Sequence, residues 1–118
     1  MIVGSVDADG IPVLALPVGG QSWRAIVDTG FNGDLELPDA LRAFVNPRYR
    51  GRTESILAGA QSVFEDYFRV DFPFDGRTVL AEATFVPGNE ILIGTQLLQG
   101  YRLEINFSTG TVLLERVS

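Results

Sequence analysis

The sequence predicts a mostly β fold with one or two short helices, and three observations carry that expectation. Apolar and polar residues alternate by twos, most cleanly through Leu103-Glu104-Ile105-Asn106-Phe107 and Val112-Leu113-Leu114-Glu115. Gly-Gly, Asp-Gly and Pro-Gly steps break these runs at short intervals, as turns between strands do. At 118 residues, with 46% hydrophobic and 20% charged, the chain suits a single domain spanning residues 1–118, long enough for one core and short for two lobes.

Taken from the start, Asp7-Ala8-Asp9-Gly10 has the look of a calcium-loop fragment but lacks the further ligands and closing glutamate, so it reads as a turn. Ile11 to Val18 reads as a strand, with Pro12 and Pro17 suggesting an edge or a strand end. Gly19-Gly20 supplies a tight turn, so Trp23 to Val27 should return antiparallel to it. The apolar run Ala25-Ile26-Val27 then ends abruptly in Asp28-Thr29-Gly30, which delivers a carboxylate to a loop at a strand end. Leu35-Glu36-Leu37 alternates as a strand, Pro38-Asp39 starts a short helix through Val45, and Asn46-Pro47 stops it.

Further along, Thr53 to Ala58 and Ser62 to Phe72 are strand-like around the small tip Gly59-Ala60-Gln61, which suits a mobile arm. Asp75-Gly76 is a two-residue hairpin signal, and Pro87-Gly88 marks another turn. Glu90 to Ile93 reads as a buried strand, Gly94 as a close approach, and the residues up to Gly100 as a second short helix. A hairpin around Ser108-Thr109-Gly110 follows. The remaining charges, Asp34, Glu36, Glu65, Asp66, Asp71 and the Arg48-Tyr49-Arg50-Gly51-Arg52 stretch, read as solvated, although Asp34 and Glu36 lie close enough to the Asp28 loop to meet a substrate amine or arginine.

Absences narrow the chemistry. The chain has no cysteine, no histidine and, among its basic residues, only arginine. Thiol nucleophiles, Ser-His and Ser-Lys devices, Schiff bases and thiolate or imidazole metal sites are therefore excluded. Carboxylate acid/base chemistry survives, with hard cations on oxygen ligands as a lesser possibility; no cofactor and no metal are expected. A net charge of -6 argues against nucleic acid, no apolar run approaches a membrane span, and the first residues resemble no secretory signal, so a cytoplasmic location is expected.

Val27-Asp28-Thr29-Gly30 and, more than sixty residues later, Ile91-Leu92-Ile93-Gly94 followed by Leu97-Leu98 stand in an order that resembles the retropepsin-like aspartic proteases. The resemblance covers about Ile11 to Glu115 and is closest to small bacterial members, whose loops run like Asp28-Thr29-Gly30-Phe31-Asn32-Gly33. It implies a closed β-barrel, a two-fold homodimer and an aspartic endopeptidase in which Asp28 of each copy activates a shared water. It further implies that Thr29 hydrogen-bonds across the axis and Gly30 leaves room for substrate. Phe31, Asn32, Gly33 and the flap residues Ala58, Gly59 and Ala60 would contact a peptide, and Ile93 and Gly94 would support the loop. Phe31 is open to three readings, as a pocket wall, a dimer contact or an obstruction. Thr95-Gln96 replaces the Arg-Asn or Arg-Asp usual after the glycine in retroviral members, so an ion pair from that arginine to the loop is absent. Two other functions compete: a dimer of this fold that binds peptides or partner proteins without cutting, and a monomeric interaction module in which Asp28 only caps its own turn.

Overall fold

Side chains on a strand point alternately to opposite faces, and this chain uses that alternation to build one core. The computed structural model describes residues 1–56 and 59–118. Its elements are β1 (Ile2–Val6), β2 (Pro12–Val18), β3 (Gln21–Val27), β4 (Leu35–Pro38), a 3₁₀ helix (Asp39–Phe44), β5 (Arg48–Ile56), β6 (Ser62–Phe74), β7 (Arg77–Val86), β8 (Glu90–Ile93), β9 (Tyr101–Asn106) and β10 (Thr111–Arg116). Leu14, Leu16 and Val18 of β2, Ala25 and Val27 of β3, Val70 and Phe72 of β6, Ile91 and Ile93 of β8, and Val112 and Leu114 of β10 all turn inward and are buried. Each large apolar side chain so buried contributes roughly 1.5–3 kcal/mol.

The described strands form one ten-stranded sheet in the order β5-β6-β7-β4-β8-β3-β2-β1-β10-β9. Among the described residues β5 and β9 end that order without pairing to each other, so the expected closure of the barrel is not made by a hydrogen-bond ladder. Hairpins join most sequence neighbours. The β6–β7 turn has positive φ at both Asp75 and Gly76, and the β2–β3 turn at both Gly19 and Gly20, the geometry that matches the twist of paired strands.

The departure that matters for function is β8. It pairs parallel with β3, from Arg24↔Glu90 to Val27↔Ile93, and antiparallel with β4 through Leu35↔Ile93 and Glu36↔Leu92. A distant strand therefore sits between the strand that enters the Asp28 loop and the strand that leaves it.

Three expectations are corrected. Ile2–Val6 is a strand that the sequence reading passed over; Gly4 interrupts its apolar pattern because a β-carbon there would collide with the Val13 carbonyl oxygen. The Arg48–Arg52 stretch is strand rather than a solvated turn, anchored where the Arg48 guanidinium bonds Asp71 at 2.9 Å and the Asn46 amide reaches the other oxygen at 3.1 Å. Those contacts, Arg48 first, hold the Asp71 carboxyl below its usual range. The second helix, after Gly94, is a series of turns: the Thr95 and Gln96 amides donate outward to the Asp28 loop, leaving only i+3 contacts such as Tyr101 to Leu98.

The first helix is present as a 3₁₀ segment that buries Leu41 and lays the Arg42 guanidinium over the rings of Phe85 and Phe68, 4.2 and 5.0 Å from their centroids. No helix among the described residues is long and apolar enough to cross a membrane. Phe72 is fully buried, so Phe72→Ala should cost about 3–5 kcal/mol in urea denaturation. Leu80→Ala, at a position 66% exposed, should stay within about 0.5 kcal/mol.

Candidate functional site

The loop after β3 begins as a continuation of the ladder, with the Asp28 amide donating to the Ile93 carbonyl at 2.9 Å. The chain then turns on the aspartate itself. The Gly30 amide donates to Asp28 Oδ1 at 2.9 Å and the Phe31 amide to the Asp28 carbonyl at 3.1 Å. Oδ1 is thus fixed by the loop, whereas Oδ2 has no partner among the described residues. Asp28 is half-buried, and Thr29 and Gly30 are exposed.

Behind this turn the loop rests on the chain that follows β8. The Gly94 amide donates to the Asp34 carbonyl (2.9 Å), the Thr95 amide to that of Phe31 (2.8 Å) and the Gln96 amide to that of Gly33 (3.1 Å). The Thr95 hydroxyl adds a longer bond to the Phe31 carbonyl at 3.4 Å. These bonds require contact between backbones. A β-carbon on Gly94 would collide with the Gly33 carbonyl oxygen and come within 2.8 Å of the Phe31 ring. One on Gly33 would stand 2.7 Å from the same ring. Phe31 is therefore half-buried across two glycines, which makes it a wall of the site and a brace for the loop.

Asp34 closes the loop, and the sequence reading underrated it. Its Oδ2 accepts the Glu82 amide of β7 at 2.8 Å while its carbonyl accepts the Gly94 amide, so one residue ties the loop to β7 and to the segment after β8. The signal available in sequence was only its position just before β4.

A groove of about 670 Å³ opens between this loop and the β5–β6 arm. Phe31, Asn32 and Gly33 line it together, with Glu36, Glu65 and Tyr67 among the other walls. Asp28, Thr29 and Gly30 are not among its walls but immediately precede Phe31. Gly59 and Ala60 are exposed at the arm's tip and do not line it; the arm reaches the groove through Thr53, Glu65 and Tyr67. Ala58, expected to touch substrate, lies outside the described residues, as does the end of the strand expected to run to it. Ile93 is buried and Gly94 lies against the loop. A second cleft of about 510 Å³, beside the β6–β7 turn, shares no wall with this groove.

Glu36 and Glu65 differ from the solvated charges expected of them. Both are half-buried in the groove, and neither has a hydrogen-bond or ion-pair partner among the described residues. Burial first, and then the Glu65 charge, pushes the Glu36 carboxyl up.

The overall architecture matches known structures. A retropepsin-like aspartic protease from Rickettsia conorii superposes with a TM-score of 0.66 over 96% of this chain and 88% of that one, at 17% identity. The chain has a retropepsin-like fold. The foamy viral protease-reverse transcriptase in complex with an RNA/DNA hybrid matches with a TM-score of 0.61 at 21% identity, over 80% of this chain and 13% of the viral one. This chain thus corresponds to a small part of that longer viral chain. No protein-family model and no curated relative matches the sequence. Within this retropepsin-like frame, the Asp28 loop and the Gly94 segment form one backbone-bonded unit.

Two outcomes are expected from that unit. Gly94→Ala should cost about 1–3 kcal/mol in chemical denaturation and speed hydrogen exchange at the Thr95 and Gln96 amides. For Glu36, a carboxyl whose folded pKa is raised favours the fold while protonated and loses that contribution as pH rises from the usual 4.5 through the raised value. Glu36→Gln should therefore raise the melting temperature near neutral pH and leave it unchanged well below 4.5.

Proposed function

We propose that this chain is an aspartic endopeptidase acting as a homodimer, in which the Asp28 carboxylates of two copies share one water. The observation that supports it most is a retropepsin-like fold in which the loop that opens with Asp28-Thr29-Gly30 is seated, through Phe31, Gly33 and Asp34, by backbone bonds on Gly94-Thr95-Gln96 beside a groove of about 670 Å³. One chain offers a single Asp-Thr-Gly, so the second carboxylate comes from a second copy, and the exposure of Thr29 and Gly30 suits a meeting of two loops.

Two carboxylates held close together do not both ionise, and the pair then offers a base and an acid at once. The ionised one takes a proton from water as the oxygen attacks the peptide carbonyl, and the protonated one donates to the carbonyl oxygen. Collapse of the tetrahedral intermediate breaks the C–N bond and returns a proton to the leaving amine. In each copy the Gly30 amide would hold Oδ1 and leave Oδ2 for the water. Residues 31–33 and the arm would hold an extended peptide by strand-like backbone bonds.

Incubation of wild type and Asp28→Asn with a peptide library from acidic to neutral pH tests this reading. Cleavage by wild type, reduced at least about a thousandfold in the mutant, is expected, together with a dimer in sedimentation. Cleavage unchanged in Asp28→Asn would refute it, and binding without turnover by wild type would assign the chain to peptide recognition instead.

A further inference from the structure

The groove beside the Asp28 loop carries a chemical preference of its own. Its floor is the outer face of the sheet, where Glu36 lies between Thr84 on β7 and Leu92 on β8. Its opposite side is the arm, where strand alternation puts Glu65 on one face with Tyr67, two residues on, and with Thr53, its cross-strand partner. Two cations lie nearby, neither ion-paired to Glu36 or Glu65 among the described residues: Arg52, which also lines the groove, and Arg69, on the same face as Tyr67 and opposite Glu82 in the adjoining cleft. Arg52 lies over the Phe64 ring, 5.5 Å from its centroid, with Nε 3.9 Å from Asp66, so its charge is engaged there.

Two glutamates thus confront each other across a partly desolvated space walled by Phe31 and Tyr67, and neither has a neutralising partner among the described residues. Holding like charges in such a place opposes folding unless an occupant compensates. A guanidinium or ammonium group would do so, bonding the carboxylates while its methylene stem and charged face pack on the two aromatic rings. A carboxylate or a plain hydrocarbon would not.

We propose that this groove is a subsite for a basic side chain, arginine or lysine, of an extended peptide, with Glu36 as its specificity-determining residue and Glu65 as its second carboxylate. The overall charge of -6 adds long-range attraction for the same class of ligand. The inference rests on the reading of this groove as the peptide site, but not on turnover.

The test is fluorescence anisotropy with the full-length Asp28→Asn protein and labelled peptides identical except for a central Arg, Gln or Glu. The Arg peptide should bind at least about tenfold more tightly than the Gln peptide, and the Glu peptide most weakly. Adding Glu36→Gln should bring the Arg and Gln peptides to within about twofold, and Glu65→Gln should narrow the gap. Glu115→Gln, an exposed charge on β10, should leave the gap intact. Equal binding of Arg and Gln peptides, an Arg advantage that survives Glu36→Gln, an equal loss in Glu115→Gln, or no binding of any peptide would each overturn the proposal. An Arg preference in a protein whose wild type cleaves nothing would refute the protease reading and leave this one standing. Cleavage by wild type without the preference would do the reverse.

Discussion

Three consecutive amides, those of Gly94, Thr95 and Gln96, reach carbonyls of Asp34, Phe31 and Gly33, and the shape of the candidate site depends on that contact. Backbones approach so closely only where no β-carbon intervenes, which fixes glycine at 94. The same amides, spent on the loop, are unavailable for an α-helix, so the chain after β8 runs as turns. The position of β8 between β3 and β4 follows the same logic, because only a strand with a neighbour on each side can hold both ends of the loop at once. In place of an arginine ion pair, neutral backbone bonds and one hydroxyl secure the loop to the Gly94 segment. Such bonds are little affected by salt.

Around that contact the side chains divide the work. Phe31 rests on Gly33 and Gly94 and so turns a backbone contact into a groove wall. Asp34 carries the loop's fixation to β7. Asp28 keeps one oxygen for its own turn and one for whatever approaches. The charges nearby are arranged in the opposite spirit: Arg48 and Asp71 are mutually satisfied at the base of the arm, whereas Glu36 on β4 and Glu65 on the arm have no such partner among the described residues.

Much of this was readable before any coordinates. Period-two patterning located most of the strands, and the paired positive-φ signals at Gly19-Gly20 and Asp75-Gly76 located two hairpins, because both depend on local geometry. Asp28 and Gly94 were legible as a pair only through the resemblance of their two motifs to the retropepsin-like order. What escaped was set by tertiary contact. Gly4 disguised β1 because its reason, the Val13 carbonyl, lies on another strand. The helix expected after Gly94 failed because its amides had partners more than sixty residues away. Asp34 and Glu36 look alike in sequence, two residues apart beside one loop, yet one is a strut and the other faces a groove, a difference fixed by β7 and the arm.

The insertion of β8 between β3 and β4 also bears on timing. Asp28 leaves the ribosome long before Ile93 to Gln96, and until those residues arrive the loop has no backing and no floor. The geometry of the loop is thereby a late product of synthesis: the carboxylate of Asp28 is made early, and the backbone amides that fix the loop around it come from a stretch made later.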